Sequence, residues 1–281
     1  MKVDFLLIGS MKSGTSAVSK FLEGHPAVHI PPRFEANFFS RDDVYDKGVD
    51  WYHSNFDARL IATARVIGEG SNSYTFGRLY PEAAARIHAY NPEMRLVYFV
   101  RHPLERMSAA WVQNVADFAP NTPRSFVEAV RSQPDRYVDP SCYYRNISRY
   151  LEFFPREQIF LGFLEDWAND PARVQAELCE FLGVPVLPHV VEDRVNPTSG
   201  KRVPSDAYFR LRSFPPLKLL SRLLSRDARR RVREKLLFSR VEAHPALPPD
   251  LRQELLSEVG PDARRFLDLA GKPEDFWRLD G

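Results

Sequence analysis

A short apolar segment that runs directly into a loop of glycine, lysine and hydroxyl residues is the feature that most limits how this chain can fold. Residues 3–8 (VDFLLI) are mostly apolar, and residues 9–16 (GSMKSGTS) follow at once. Over residues 13–23 the apolar side chains recur at helical spacing. A continuous apolar run is typical of a strand buried on both faces. The pattern therefore predicts a strand, a loop and a helix in direct succession.

The residues of this loop suit a phosphate-like ligand. Backbone N–H groups and the positive end of the following helix would point at an anion bound there. Gly14 lets the backbone approach the ligand closely, and Lys12 supplies a positive charge. Ser13, Thr15 and Ser16 add hydroxyl donors. We predict an anion-binding loop, and the alternative is a tight turn between a strand and a helix with no ligand.

The loop differs from a nucleoside-triphosphate P-loop at the most informative position. Gly9 and Gly14 have the separation of that motif, but Thr15 follows Gly14 where the motif has a lysine. The strand predicted at residues 96–100 ends in Arg101, whereas a P-loop enzyme would place a magnesium-binding aspartate there. We therefore predict no metal, and we expect Arg101 to bind a second anionic group of the ligand.

The rest of the chain alternates strand and helix patterns. Strands are predicted at residues 28–30, 66–69, 96–100 and 159–163, and helices at residues 81–90, 104–115, 147–154 and 171–182. This alternation indicates an α/β fold, with a P-loop-like central parallel sheet flanked by helices. We expect a single domain over residues 1–281, with an α/β core at 1–204 and a helical C-terminal extension at 205–281.

Composition narrows the class of protein. The 281 residues are 44% hydrophobic, which suffices for the core of one large domain. The two cysteines suggest neither a disulfide framework nor a metal site. Neither a leader peptide nor a membrane-spanning segment is recognisable, so we expect a cytoplasmic protein. The formal net charge of +2 and the lack of a recognised nucleic-acid motif argue against a nucleic-acid partner.

Several segments together resemble one enzyme family over about residues 3–204. The residues that carry the resemblance are the loop KSGTS at 12–16, the segment EANFF at 35–39, the segment RHPLER at 101–106, Tyr143 ahead of the pair FP at 154–155, and the basic segment SGKR at 199–202. In this order they resemble the sulfotransferases that use 3′-phosphoadenosine 5′-phosphosulfate (PAPS). The chain is most similar to the heparan-sulfate type and to related bacterial enzymes.

The resemblance implies transfer of a sulfuryl group from PAPS to a hydroxyl or amine acceptor, without a metal. Lys12 would stabilise the leaving group and Glu35 would act as general base. The implied donor-site residues are Lys12, Ser13, Gly14, Thr15, Ser16, Arg101, Ser108, Lys201 and Arg202. The residues expected to border the acceptor are Asn37, Phe39, Trp111 and Tyr143. The acceptor would be a small molecule, a carbohydrate or a lipid.

Three positions depart from the family pattern. Ala109 stands where the family has a serine for the 3′-phosphate, and Ser108 lies one residue earlier, about 100° away around a helix. Gly70 replaces a lysine, and Asn37 replaces a histidine found in some relatives. We therefore expect the acceptor side of the site to differ from that of the heparan-sulfate enzymes.

A basic segment near the C-terminus remains open to two interpretations. Residues 201–240 contain 13 lysines and arginines and only three acidic residues. Leucines interleave with the arginines, which predicts a pair of helices with a solvated basic face. The alternative is contact of residues 209–240 with an anionic acceptor or a membrane surface.

Two rival functions for the protein also remain: a P-loop kinase for a small molecule, and a nucleotide-binding module without catalytic activity.

Overall fold

The computed structural model describes residues 1–31, 35–117, 119–187, 202–204, 238–240 and 247–279. Residues 202–204 and 238–240 are described by their backbone alone. The basic segment predicted at 209–240 therefore lies almost entirely outside the described residues.

Five parallel strands form the central sheet. They are β1 (Phe5–Gly9), β2 (Val28–His29), β3 (Val66–Gly70), β4 (Arg95–Val100) and β5 (Ile159–Phe163), in the spatial order β2-β3-β1-β4-β5. Each pairing between neighbours is parallel. The prediction of a central parallel sheet is confirmed, and β1 lies in its middle.

Helices of very different length connect and flank these strands. They are α1 (Thr15–Glu23), α2 (Asp42–Tyr45), α3 (Gly48–His53), α4 (Ala58–Ile61), α5 (Ala83–Tyr90), α6 (Pro103–Ala116), α7 (Phe126–Ser132), α8 (Pro134–Tyr137), α9 (Tyr143–Leu151), α10 (Leu164–Asn169), α11 (Pro171–Leu182) and α12 (Pro249–Leu269). Two further short strands, β6 (Arg202–Pro204) and β7 (Phe238–Arg240), pair antiparallel.

Both faces of the sheet are covered by helices. On one face, α1 and α11 pack through Val18 and Leu178. On the other face, α5, α9 and α12 pack through Ile87, Ile147 and Phe266. Burial on both faces explains why the strands appear in the sequence as continuous apolar runs rather than as an alternation of apolar and polar residues.

Some boundaries differ from the sequence-based expectation for local reasons. Helix α1 begins at Thr15 rather than at residue 13, because Lys12 and Gly14 adopt positive φ angles of 72° and 88°. Helix α9 begins at Tyr143, four residues before the predicted start. At the C-terminus, α12 agrees with a helical extension, whereas residues 238–240 form a strand instead of the predicted helix.

Close packing between β4 and β5 leads to a stability prediction. Gly162 lies directly opposite Phe99, and an added Cβ at Gly162 would lie 2.6 Å from the Phe99 ring. We expect Gly162→Ala to lower the free energy of unfolding by about 1–3 kcal/mol because the ring must shift in a filled core. Urea denaturation measures this change.

The matched control is Gly260→Ala, at a helical glycine in α12. An added Cβ there meets only the end of the Arg264 side chain, at 3.6 Å. The free energy of unfolding should stay the same or rise, because alanine favours a helix over glycine. Equal losses in the two variants would contradict the packing argument.

Candidate active site

The carboxyl ends of the three central strands bring the candidate residues to one edge of the sheet. Strand β1 pairs with β3 on one side and with β4 on the other, with Leu7 opposite Gly70 and Gly9 opposite Tyr98. The loop after β1 therefore lies between the end of β3 and Arg101, which follows β4. Ligands of open parallel sheets bind at such an edge, where neighbouring connections leave the sheet on opposite faces.

Internal hydrogen bonds fix the loop after β1. The Ser10 amide donates to the Phe99 carbonyl at 2.6 Å, and the Ser13 amide donates to the Ser10 carbonyl at 3.2 Å. The hydroxyls of Ser10 and Ser13 lie 2.7 Å apart, and both side chains are fully buried. The Ser13 hydroxyl, predicted to face the ligand, thus bonds within the loop, while Thr15 and Ser16 lie in the first turn of α1.

Glycine is required at position 14 for two reasons. Its φ angle is 88°, a backbone conformation that residues with a side chain rarely adopt. An added Cβ would also lie 2.8 Å from Leu164 Cδ1 in α10, which is too close. Gly14 is also the N-cap residue of α1, and no side chain of the described residues caps this helix. The amides at the very start of α1 have no partner within the helix, so they are suited to donate to an anion.

Lys12 and Arg101 are cationic side chains at this edge. Lys12 Nζ donates to Gln113 Oε1 of α6 at 3.1 Å. Arg101 forms an ion pair with Glu105, in the first turn of α6, and its Nη1 lies 3.5 Å from the Lys12 carbonyl oxygen. Arg101 therefore links the loop after β1 to the start of α6.

One atom of Arg101 points to a missing partner. Its Nε is buried and has no hydrogen-bond partner among the described residues. A buried donor without a partner is unfavourable, and each such case in a folded protein calls for a ligand or a water molecule. Arg101 can therefore accept an additional anionic group.

Glu35 lies at the start of a segment docked onto the end of β3. The residue as a whole is exposed, and Asn72 Nδ2 donates to its Oε1 at 2.6 Å. Neighbouring atoms desolvate the carboxyl group and raise the pKa of Glu35 above its ordinary value, while the Asn72 hydrogen bond opposes this rise. The raised pKa suits a carboxylate that must accept a proton.

Asn37 holds this segment rather than facing an open cleft. Its amide donates to Ser71 Oγ at 2.9 Å, and its Oδ1 accepts from Ser73 Oγ at 2.6 Å. Its φ angle is 50°, a conformation that asparagine tolerates better than most residues. Asn37, predicted to border the acceptor, thus contributes to the docking of the Glu35 segment.

Glu69 is a site feature that sequence reasoning missed. It is fully buried at the end of β3, and its carboxylate accepts from Ser71, from the Tyr74 hydroxyl at 2.8 Å and from the Ala36 amide at 3.2 Å. Burial is the main cause that raises the pKa of Glu69 to about 7. A glutamate followed closely by Ser71 and Tyr74 at the end of a buried strand was the available signal.

Three aromatic residues predicted to border the acceptor are packed in the core. Phe39 is fully buried among other aromatic rings, including that of Tyr52. Trp111 is 8% exposed and donates to the Pro123 carbonyl at 2.9 Å. Tyr143 is fully buried, and its hydroxyl donates to the Arg101 carbonyl at 2.7 Å. In this structure, Tyr143 supports the Arg101 backbone, and Phe39 and Trp111 are packing residues.

The remaining predicted donor residues fall into two groups. Ser108 is 3% exposed, and its hydroxyl donates to the Glu105 carbonyl at 3.0 Å, within its own helix. Lys201 lies outside the described residues. Arg202 begins β6, whose backbone runs beside α6, the helix that follows Arg101.

No helix among the described residues is long and apolar enough to cross a lipid bilayer.

The fold and this edge define a class of protein: an α/β protein whose loop after β1 and whose residue after β4 together suit an anionic ligand. The chain matches the model of the sulfotransferase domain family over residues 2–210. It therefore belongs to the sulfotransferase family, which confirms the resemblance to PAPS-dependent enzymes.

Individual relatives agree with this family. The chain is 28% identical over 277 residues to human heparan sulfate glucosamine 3-O-sulfotransferase 6, covering 95% of this chain and 71% of that one. It is 30% identical over 202 residues to human bifunctional heparan sulfate N-deacetylase/N-sulfotransferase 3, covering 66% of this chain. The match spans only 22% of the length of that bifunctional relative.

A solved structure shows the same fold. A sulfotransferase from Alicyclobacillus acidocaldarius superposes on this chain with a TM-score of 0.68, at 24% sequence identity and over 99% of both chains. The identity is low, so this likeness supports the architecture alone.

The hydrogen bond between Asn72 and Glu35 leads to a testable pKa change. We expect Asn72→Ala to raise the pKa of Glu35 further, because the bond favours the ionised carboxylate. A carbon-detected NMR titration of the glutamate carboxyls measures the shift. Asn114→Ala is the control, since Asn114 bonds to Tyr137 instead. An unchanged or lowered pKa of Glu35 in Asn72→Ala would show that the bond is absent in solution.

Proposed function

We propose that this protein transfers a sulfuryl group from PAPS to a hydroxyl or amine of a carbohydrate acceptor. The observation that supports the proposal is that two separate positions suited to an anion lie at one sheet edge. One is the uncapped start of α1 with Lys12, and the other is Arg101. PAPS carries anionic groups at both its 5′ and 3′ ends, so two separated cationic positions suit it.

The residues present fit this donor. Gly14 brings the backbone close to the ligand, and the amides of the first turn of α1 are aligned for the 5′-phosphosulfate. The unpartnered Nε of Arg101 offers a donor to the 3′-phosphate. We assign the 5′-phosphosulfate to residues 12–16 and the 3′-phosphate to Arg101. Arg202 begins β6, whose backbone lies beside α6, the helix that follows Arg101.

Lys12 has the role of countering charge on the leaving group. As the acceptor oxygen or nitrogen bonds to sulfur, the bond from sulfur to the bridging oxygen breaks, and its electron pair remains on the 5′-phosphate. An ammonium beside that oxygen stabilises the charge that develops there. Lys12 is held by Gln113 in this structure, and it would exchange that contact for the donor.

Glu35 has the role of general base. It would take the proton that the acceptor hydroxyl or amine loses on attack. Its raised pKa lies closer to neutrality than that of an ordinary glutamate, which makes it a better proton acceptor. The Asn72 hydrogen bond orients the carboxylate.

The carbohydrate acceptor is supported by the names of the relatives, both of which act on heparan sulfate. Gly70 places no charge at the end of β3, where the heparan-sulfate enzymes have a lysine. We therefore propose a carbohydrate acceptor that is recognised without a cation at this position.

Separate effects on turnover and on donor affinity test the two catalytic roles. We expect Lys12→Ala and Glu35→Gln each to lower kcat by about 100-fold or more, because each removes a group that acts on the transition state. Glu35→Gln should leave the Kd of adenosine 3′,5′-bisphosphate nearly unchanged. Lys20→Ala, at the exposed end of α1, is the control for Lys12. Substantial kcat in Glu35→Gln would refute the assignment of the base.

Calorimetric titration tests the donor. We expect adenosine 3′,5′-bisphosphate to bind without Mg²⁺, and Arg101→Ala to weaken it roughly 10-fold to 100-fold because a charge-assisted contact is lost. Arg59→Ala, in α4 away from the strand ends, is the control. Mg²⁺-dependent binding of ATP in place of the bisphosphate would favour a kinase. Tight bisphosphate binding without turnover on any carbohydrate acceptor would indicate a silent binding module.

A further inference from the structure

A buried carboxylate lies directly behind the segment that carries Glu35. Glu69 is fully buried, and one of its oxygens, Oε1, accepts both the Ala36 amide at 3.2 Å and the Ser71 hydroxyl. Its other oxygen, Oε2, accepts the Tyr74 hydroxyl at 2.8 Å. Three donors thus converge on one carboxylate, which offsets the cost of burying its charge.

Two consecutive amides of the Glu35 segment depend on this carboxylate. The Ala36 amide bonds to Glu69 directly. The Asn37 amide donates to Ser71 Oγ at 2.9 Å, and the Ser71 hydroxyl in turn donates to Glu69. Because the Ser71 hydroxyl donates its proton to Glu69, the Ser71 oxygen can accept the hydrogen bond from the Asn37 amide. The end of β3 therefore fixes the backbone on the C-terminal side of Glu35.

We infer that Glu69 is a positioning residue for the sulfuryl-transfer reaction, acting through the Ala36 amide and Ser71 to hold Glu35 in its working place. This inference rests on the proposed function, because it presupposes that Glu35 is the base. A displacement of about 1 Å in a catalytic group can cost roughly 100-fold in rate. A base on a loop segment therefore needs such a fixed support.

The charge of Glu35 also acts on Glu69. Among the described residues, the titratable groups around Glu69 are Glu35 on the docked segment, Tyr74 in the turn after β3 and Tyr52 on α3. The two carboxylates repel each other, so an ionised Glu35 raises the pKa of Glu69. Removal of this charge should lower the pKa of Glu69.

Substitutions that break the support test the inference through the split between turnover and donor binding. We expect Ser71→Ala and Glu69→Leu to lower kcat about tenfold or more, while the Kd of adenosine 3′,5′-bisphosphate changes less than about twofold. Glu69→Gln, whose amide oxygen can still accept from Ala36 and Ser71, should recover most of the kcat lost in Glu69→Leu. Tyr74→Phe is the matched control, because it removes the bond to Oε2 and leaves the bonds from Ala36 and Ser71 to Oε1 in place.

The like-charge interaction supplies a readout of how close the two carboxylates lie. In Glu35→Gln, the pKa of Glu69 should fall below its wild-type value, because Glu69 loses a like-charged neighbour. A carbon-detected NMR titration measures this pKa, and an unchanged value in a folded Glu35→Gln variant would contradict the docking of the Glu35 segment against Glu69.

The outcomes separate this inference from the proposed function. If Glu35→Gln retains kcat, the base assignment fails before Glu69 is considered. If Glu35→Gln loses kcat but Ser71→Ala and Glu69→Leu keep it, the proposed function stands and the positioning role is refuted. Should Glu69→Leu fail to fold, Ser71→Ala alone decides. A loss of donor affinity in Ser71→Ala equal to its loss of kcat would also refute the positioning role.

Discussion

The parallel pairing of β1 with β3 and β4 is the constraint on which the rest of the site depends. It places the loop after β1 between Glu69 and Arg101, residues that are far apart in the sequence. Helix α1 then starts at Thr15, with its first amides directed at the same edge. Burial of the strands on both faces fixes this arrangement, because slipping a strand by one residue would exchange the side chains that are packed in two filled cores.

The sequence predicted the features that depend on local pattern. Short apolar or β-branched segments located the five central strands, and the loop at 12–16 and Arg101 were recognised from their place after two of those strands. Short helices such as α2, α4 and α8 were not predicted, because four residues carry too little periodicity. The sequence could not show whether an aromatic residue such as Tyr143 lies in the core or borders the cleft, because aromatic residues are common in both places. The support of Glu35 by Glu69 joins two separate segments, which no local pattern reveals.

The cations and anions of this edge already have partners within the protein. Arg101 is paired with Glu105, and Lys12 is hydrogen-bonded to Gln113. Binding of a doubly anionic nucleotide would therefore exchange internal contacts for phosphate contacts, and the phosphate contacts must offset the loss of the internal ones. The buried Nε of Arg101 has no hydrogen-bond partner among the described residues, so it can donate to a phosphate without losing an internal bond.

A crystal structure with adenosine 3′,5′-bisphosphate tests the central claim most directly. The account predicts that the 5′-phosphate bonds to the amides at the start of α1 and to Lys12, and that the 3′-phosphate bonds to the Arg101 guanidinium. A bisphosphate bound away from this edge, or one that leaves either Arg101 or the start of α1 without a phosphate, would contradict it.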